Sequence, residues 1–298
     1  MKMTLETLLE EGKEKLEKAG VPDPLLDARF LLLDVFDMNF ASFLVKRDCP
    51  IAGTENGTNA TEADTDIRKK IDKYWELISK RKMRIPLQQL TGVQEFMGLE
   101  FYVNEHVLIP RQDTETLVEL VLNEHKEKKI SLLDVCTGSG CIAISLAKLG
   151  GYADVTALDL SEEALKVARS NGEKLLDQPV TFIKSDMFSA LDPGKQYDVI
   201  VSNPPYIPSQ VIEELEPEVK DHEPRMALDG EPDGLKFYRI LAEEGKKYLK
   251  NGGEIYMEIG WDQAKDVTEI FETMGFKGLR TVRDMTGNDR VVCARKEK

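Results

Sequence analysis

From residue 130 onward, short apolar runs alternate with segments of helical periodicity, and that alternation leaves few folds open. Residues 130–136, 154–158, 180–183, 197–201 and 254–259 read as strands. Between them, residues 142–149, the stretch after Ser161, residues 235–249 and residues 262–274 carry apolar side chains at helical spacing. Ser161 is expected as an N-cap, with Glu162 and Glu163 in the first turn, where acids favour the helix dipole. Strands separated by helices pair in parallel, and a parallel sheet needs cover on both faces. The last two runs, 278–283 and 290–294, flank Gly287-Asn288-Asp289 and read as a terminal antiparallel hairpin. The expectation is a Rossmann-like α/β domain with a mainly parallel sheet.

The chain before residue 85 has a different character. Leu5, Leu8, Leu9 and Leu16 recur at helical spacing. A second helix is expected after Pro22-Asp23-Pro24, carrying Leu25, Leu26, Phe30, Leu32 and Leu33, and a further one carries Ile67, Ile71, Tyr74, Trp75 and Ile78. The polar stretch 53–64 between them reads as a loop. Residues 92–103 read as two short strands around a Gly turn. The expected organisation is a helical docking domain over 1–84, a hairpin linker over 85–110 and the α/β domain over 111–298. At 298 residues and 41% apolar, the chain has material for two cores.

The first α/β strand runs into Asp134-Val135-Cys136-Thr137-Gly138-Ser139-Gly140. Gly138 and Gly140 let the backbone approach a ligand and open a helix. Asp159 ends the second strand, nineteen residues after Gly140, where a carboxylate accepts hydrogen bonds from ribose hydroxyls or simply favours a helix N-terminus. Asp186 and Met187 follow the third strand, where Met187 reads equally as an adenine contact or as core. Gly138-x-Gly140-x-x-Ala143 also satisfies a loose dinucleotide fingerprint, so a nicotinamide enzyme and an S-adenosylmethionine enzyme look alike here.

Asn203-Pro204-Pro205-Tyr206, at the end of the fourth strand, separates the two. The prolines bring no backbone N–H and have fixed φ. The Asn203 side-chain oxygen and nearby carbonyls are therefore free to accept from one ligand group, and Tyr206 offers a flat face. Such a pocket suits a planar NH2, either an amide or the exocyclic amine of a base. Hydride transfer has no use for it; methyl transfer to nitrogen does. Asp134 is placed where a methyl donor's ammonium would lie.

The formal charge of −14 argues against a protein that grips nucleic acid by its phosphates. Cys49, Cys136, Cys141 and Cys293 have no zinc spacing and are expected as reduced, mostly buried thiols. His106, His125 and His222 lie in no metal or base motif, and no metal is expected. The N-terminus shows no apolar leader and no run approaches a membrane span, so a cytoplasmic protein is expected.

Leu90-Thr91-Gly92-Val93-Gln94-Glu95-Phe96, the run from Leu108 to Glu115, the Asp134–Gly140 turn, Val201 to Ile207, Glu223 to Leu228 and Asp233-Gly234-Leu235 together resemble the release factor glutamine methyltransferases, the PrmC/HemK group. The resemblance spans nearly the whole chain. The Asn-Pro-Pro-Tyr tetrapeptide is shared with DNA and RNA amino-methyltransferases; its pairing with Leu108-Ile109-Pro110-Arg111 is more specific. The resemblance implies a class I S-adenosylmethionine-dependent methyltransferase fold with a helical N-terminal domain. It also implies methylation of the glutamine side chain in the Gly-Gly-Gln loop of class 1 peptide chain release factors, with S-adenosylhomocysteine as co-product. A sister group that acts on a ribosomal protein typically carries Ser-Pro after the Pro-Arg, whereas Gln112-Asp113 follows Arg111 here. On this reading Asp134, Cys136, Thr137, Gly138, Ser139, Gly140, Asp159, Met187 and Asn203 hold the cofactor. Asn203, Pro204, Pro205 and Tyr206 hold the substrate amide, with Asn203, Pro204 and Tyr206 assisting transfer. The chain departs from the family pattern at Gln112 (commonly Pro), Cys136 (Gly in many members) and Met187 (often Trp). The alternatives are an amino-methyltransferase of rRNA or DNA, one acting on a ribosomal protein glutamine, and a non-catalytic nucleotide-holding module.

Overall fold

The computed structural model describes residues 3–51, 62–126 and 129–297. The chain divides into two compact units, Met1–Gly92 and Val93–Lys298. The first comprises α1 (Leu5–Lys18), α2 (Pro24–Val35), α3 (Phe40–Lys46), α4 (Glu62–Lys82) and α5 (Leu87–Thr91). Thr4 and Thr7 cap α1 reciprocally, and Pro24 opens α2 where its missing N–H costs nothing. Leu8, Leu16, Leu31, Leu32, Tyr74 and Ile78 form the core of this unit. Gly12 makes room for Tyr74, whose hydroxyl would lie 2.0 Å from any Cβ there and donates instead to the Leu8 carbonyl at 3.2 Å. Leu25, Leu26 and Phe30, which mark α2 in the sequence, are exposed, as are Phe40, Leu44 and Val45 of α3. The polar stretch expected as a loop lies outside the described residues as far as 61, and the chain is helical from Glu62.

The second unit opens with the hairpin β1 (Val93–Phe96) and β2 (Leu99–Tyr102). Phe96 and Phe101 are buried in the main core of this unit, so the division between the units falls at Gly92, inside the stretch expected as a linker. There follow α6 (Glu115–Glu124), β3 (Ser131–Val135), α7 (Cys141–Gly150), β4 (Asp154–Asp159), α8 (Glu162–Leu175), β5 (Thr181–Lys184) and β6 (Tyr197–Ser202). Two single-turn helices, α9 (Pro217–Lys220) and α10 (Arg225–Leu228), precede α11 (Lys236–Tyr248), β7 (Leu249–Glu258), α12 (Ala264–Thr273), β8 (Lys277–Arg283) and β9 (Asp289–Arg295).

The seven-stranded sheet has the order β5-β4-β3-β6-β7-β9-β8. The first five strands are parallel; β9 runs antiparallel to both β7 and β8. The mainly parallel sheet and terminal hairpin read from the sequence are therefore present, with β9 rather than β8 inserted next to β7. Alternate residues divide between two cores. Leu132, Val199, Val201 and Tyr256 face α6 and α7 on one side, and Leu133, Ile200, Ile255 and Met257 face α11 and α12 on the other. The chain leaves β3 outward through β4 and β5, then returns to lay β6 on its other flank. That reversal opens a crevice at the carboxyl ends of β3 and β6.

Candidate functional site

Register places the decisive residues in one row. Val135 of β3 pairs with Leu158 of β4 and with Ser202 of β6, and Ser202 pairs with Met257 of β7. The next residue along each strand is Cys136, Asp159, Asn203 and Glu258. Above this row lies a cavity of about 290 Å³, close to the lower end of the range for small-molecule clefts, roughly 300 Å³. Cys136, Thr137, Gly138, Ser139, Asp159, Met187, Asn203 and Pro205 all line it. Asp134, Gly140, Pro204 and Tyr206 do not.

The turn after β3 is held from both sides. Thr137 donates its amide to the Leu158 carbonyl at 2.8 Å and its hydroxyl to Asp134 Oδ2 at 2.6 Å. Asp134 is 0% exposed, its Oδ1 has no hydrogen-bond partner, and burial pushes its carboxyl up to about 7 against the Thr137 hydroxyl. Its place is beneath the turn, supporting Thr137, rather than on the cavity wall. Gly140 has φ +81 as the N-cap of α7, and a Cβ there would meet Ile144 Cδ1 at 2.9 Å and Ala168 Cβ at 3.2 Å. Its role is close helix packing. Gly138, at φ +55, has open space where a Cβ would stand, on the cavity side.

Asp159 accepts the Gly138 amide on Oδ2 at 2.8 Å and the Ser161 amide on Oδ1 at 2.8 Å. Burial raises its carboxyl above the usual range, and the amides of Ser161 and Gly138 oppose that. A carboxylate has about four lone-pair sites, so two acceptor sites remain for the hydroxyls of a ligand. Ser161 caps α8 as expected, its hydroxyl accepting from Ala164 at 3.1 Å. Asp186 and Met187 close the far wall. These features suit a nucleoside carried on a charged thioether: ribose acceptors at Asp159, backbone at Gly138, and an apolar slot at Met187.

The acceptor half is built on β6. Asn203 donates Nδ2 to Thr114 Oγ1 at 3.4 Å. Among the described residues, no donor reaches Asn203 Oδ1 or the Pro204 carbonyl oxygen. Tyr206, which the sequence reading sets against the substrate amide, is not one of the residues lining the cavity. It is half-buried and packs against the core that includes α11, and its hydroxyl donates to Glu258 Oε1 at 3.4 Å. Its backbone is clamped, with the carbonyl accepting from Gln263 Nε2 at 2.9 Å and the main chain lying against Gly230 and Gly234. Burial, and then the Glu258 charge, raise the Tyr206 hydroxyl, which stays a neutral donor.

Several lining groups were assigned no role in the sequence reading, although most lie in its Leu108–Glu115 and Glu223–Leu228 motifs. Thr114, Arg111 and His106 enter from the segment before α6. Arg111 Nη2 pairs with Glu223 Oε2 at 2.7 Å, and Glu223 Oε1 also accepts the Ile109 amide at 3.3 Å. This bond ties the 108–115 segment to the loop before α10, whose Pro224, Met226 and Ala227 also line the cavity. Burial raises the Glu223 carboxyl and Arg111 opposes it. Glu258 had an available signal: like Asp159, it is an acid ending an apolar strand. Cys141 and Cys293 are buried as expected, but Cys49 is exposed. Among the described residues no cluster could hold a metal ion, and no helix is long and apolar enough to cross a membrane.

Comparison with known proteins gives the same division of the chain. A family model described as the PrmC N-terminal domain matches residues 7–92, and one described as the methyltransferase small domain matches residues 112–215. A release factor glutamine methyltransferase of Fusobacterium nucleatum is 40% identical over 97% of this chain and 78% of its own length. One of Clostridium botulinum is 38% identical over 99% of this chain and 100% of its own. Among solved structures, a methyltransferase from Pyrococcus furiosus superposes with a TM-score of 0.51 at 20% identity, over 68% of this chain and 91% of that one, a likeness of fold.

Proposed function

The chain belongs to the release factor glutamine methyltransferase family, and from that premise we propose that it transfers a methyl group from S-adenosylmethionine to the side-chain amide nitrogen, N5, of the glutamine in the Gly-Gly-Gln motif of class 1 peptide chain release factors. The observation that carries this reading is Asn203 Oδ1, an acceptor without a donor on the cavity wall at the strand end, followed directly by Pro204, whose carbonyl accepts no hydrogen bond among the described residues.

S-adenosylmethionine, when bound, supplies an electrophilic methyl group on a sulfonium. Asp159 would take its ribose hydroxyls, Gly138 and Ser139 would lie along its chain, and Cys136 and Met187 would flank its base. Asp134 would act from beneath, through Thr137. An amide nitrogen is a poor nucleophile because its lone pair is delocalised into the carbonyl. Asn203 Oδ1 and the Pro204 carbonyl would each accept one of its two N–H bonds. That draws electron density to nitrogen and fixes the direction of its lone pair. Positioning and fixed dipoles supply most of the acceleration. No general base is required, because the nitrogen becomes acidic once methylated and its proton passes to water. Pro205 lines the cavity beside Asn203, and Tyr206 holds the tetrapeptide's shape from the core it packs against.

The helical unit is suited to docking the protein substrate. Its α2 and α3 expose Leu25, Leu26, Phe30, Phe40, Leu44 and Val45, and Arg29 lies over the Phe40 ring at 4.9 Å. Exposed apolar groups of this kind mark interaction surfaces. Release factors operate in the cytoplasm, and a cytoplasmic enzyme is part of this reading.

The test is incubation with labelled S-adenosylmethionine and a class 1 release factor, with the modified residue mapped by mass spectrometry. One methyl on the Gly-Gly-Gln glutamine is expected. Asn203→Ala should abolish transfer while leaving the cofactor Kd unchanged. Methylation elsewhere, or full activity of that variant, overturns the reading.

A further inference from the structure

We propose that Arg111 and Glu223 are a positioning pair that latches the cofactor cavity: their ion pair joins two irregular segments that line it, and the methyl donor enters and leaves when the pair parts. The proposal rests on the reading of this cavity as the S-adenosylmethionine site.

The strand-end turns that line the cavity are held by sheet register. Two further segments line it, one between His106 and Thr114 and the other between Pro224 and Glu231. They are tethered unequally. Next to the second, Glu223 donates its amide to the Val219 carbonyl at 3.0 Å. Within it, the Leu228 carbonyl accepts from the Ile207 amide at 3.0 Å, and the Gly230 amide donates to the Ile207 carbonyl at 2.9 Å. That segment is built onto the chain directly after Asn-Pro-Pro-Tyr. In the first, residues 108–111 belong to no helix or strand. Pro110 has no N–H to give. Among the described residues, the one amide of this stretch that donates within the chain is that of Ile109, to Glu223 Oε1 at 3.3 Å. Arg111 Nη2 donates to Oε2 of the same carboxyl at 2.7 Å. A single side chain thus uses both of its oxygens to hold the loosely tethered segment against the firmly tethered one.

Exposure decides which end of the pair moves. The Glu223 side chain is 1% exposed and the Arg111 side chain 41%. Arg111 also lines the cavity, so it stands between the cavity and water, whereas Glu223 is not a lining residue and acts from behind it. A guanidinium on a carboxylate is a strong, directional contact. Its buried end cannot leave without stranding a charge, but its exposed end can, because water solvates a guanidinium that swings outward. Val107 and Ile109 are buried, and their burial keeps the segment in the fold when the pair opens. Parting of the pair therefore widens the way into the cavity without unfolding the wall behind it.

The experiment uses the full chain and measures both rate constants of cofactor binding. Stopped-flow mixing with S-adenosylmethionine gives kon, and a chase of bound labelled S-adenosylmethionine with excess unlabelled cofactor gives koff. Wild type is compared with Arg111→Met, Arg111→Lys, Glu223→Gln and the Arg111→Met/Glu223→Gln double variant. A latch slows entry and exit alike, whereas a lost contact to the cofactor speeds exit only. Arg111→Met keeps the stem and removes the charge. It should raise kon and koff together by about 10-fold, the scale of one charge-assisted hydrogen bond, and leave Kd within about 3-fold. Glu223→Gln leaves Ile109 an acceptor and sets an amide N–H against the guanidinium; it should act in the same way although residue 223 does not line the cavity. Arg111→Lys keeps the charge and should stay within about 3-fold of wild type. The double variant should be no faster than the faster single one, because both break one pair. Should Glu223→Gln fail to fold, the Met and Lys variants at the exposed Arg111 decide the matter. Unchanged rates in Arg111→Met, a rise in koff matched by an equal rise in Kd, equal effects of Met and Lys, or additive effects in the double variant overturns the proposal alone. A wild-type protein that binds no S-adenosylmethionine overturns the functional reading and this proposal with it.

Discussion

The Sγ of Cys136 lies 3.8 Å from the Sδ of Met187, and both residues hold left-handed backbone angles, φ 65 and φ 47. Both line the cavity. The left-handed region is unfavourable for side chains other than Gly, at about 1 kcal/mol or more per residue. The turn therefore keeps its shape at Cys136 under strain, with the small thiol packed against a flexible thioether.

The first prediction concerns this turn. Cys136→Gly should relieve the strain and lose the packing of the thiol, leaving stability within about 1 kcal/mol of wild type. Cofactor affinity should stay within about 3-fold. Cys136→Val puts a β-branched side chain at a positive φ, which such residues essentially do not adopt, and should cost about 2 kcal/mol or more. Urea unfolding and calorimetric titration of S-adenosylmethionine check both. A Val variant as stable as wild type would show that the turn carries no strain.

Asp159 is expected to govern cofactor affinity. It organises the Gly138 and Ser161 amides, each at 2.8 Å. Asp159→Ala removes the ribose acceptor and also leaves two amides without their partner. The cofactor Kd should rise about 10²-fold, consistent with the loss of two charge-assisted hydrogen bonds. Asp159→Asn keeps one acceptor oxygen and should fall between. Turnover at saturating cofactor should change little in either. An unchanged Kd in Asp159→Ala would remove this residue from the site.

Gly234 offers a test of how firmly the Asn-Pro-Pro-Tyr segment must be held. Its φ is +71, and a Cβ there would stand 2.4 Å from the Tyr206 carbonyl oxygen and 2.7 Å from Gln263 Nε2. The Tyr206 oxygen is backbone and cannot swing aside. Gly98 also has φ +71 but has nothing within 4 Å of a Cβ. Gly98→Ala should therefore show the cost of the dihedral alone, about 1 kcal/mol, and retain activity. Gly234→Ala should cost more and lower kcat about 10²-fold, the effect of a displacement near 1 Å at a reacting centre. Equal kcat in the two variants would mean that the segment tolerates movement.

These contrasts show where the sequence was legible. Strand and helix periods were strong from residue 130 onward, because apolar alternation there is set by burial on both faces of one sheet. Asp159 and Asn203 were readable because each ends an apolar strand beside a distinctive neighbour. The hydrogen bonds that hold Tyr206 were not, since they run to Glu258 and Gln263, more than fifty residues away in the chain. Asp134 lies at the end of β3 as read, and its burial beneath the turn was not legible. Which side of the turn it supports follows from the Thr137 rotamer, on which spacing is silent. The order of β8 and β9 was also hidden, because a hairpin reads the same whichever strand joins the sheet.

The last prediction is a dependence of stability on pH. Burial pushes the carboxyls of Asp134 and Glu258 up to about 7, from ordinary values of 3.8 and 4.5. A carboxyl raised by folding binds its proton more tightly in the folded state. Between roughly pH 4 and pH 7 the folded protein therefore holds more protons than the unfolded chain, and stability falls as pH rises through that window. Above pH 7 the cost is complete, on the order of 4 kcal/mol for Asp134 and on the order of 3 kcal/mol for Glu258. Carboxyls held low, such as Asp284 at about 2, act in the opposite sense only below the ordinary carboxylate range. Glu258→Gln removes one of the two contributions while keeping the shape and an acceptor for Tyr206. Its Tm should be higher than that of wild type at pH 8, nearly equal at pH 5, and its decline between the two should be shallower. Thermal unfolding at both pH values checks this. An identical slope in wild type and variant would show that Glu258 does not titrate in this range.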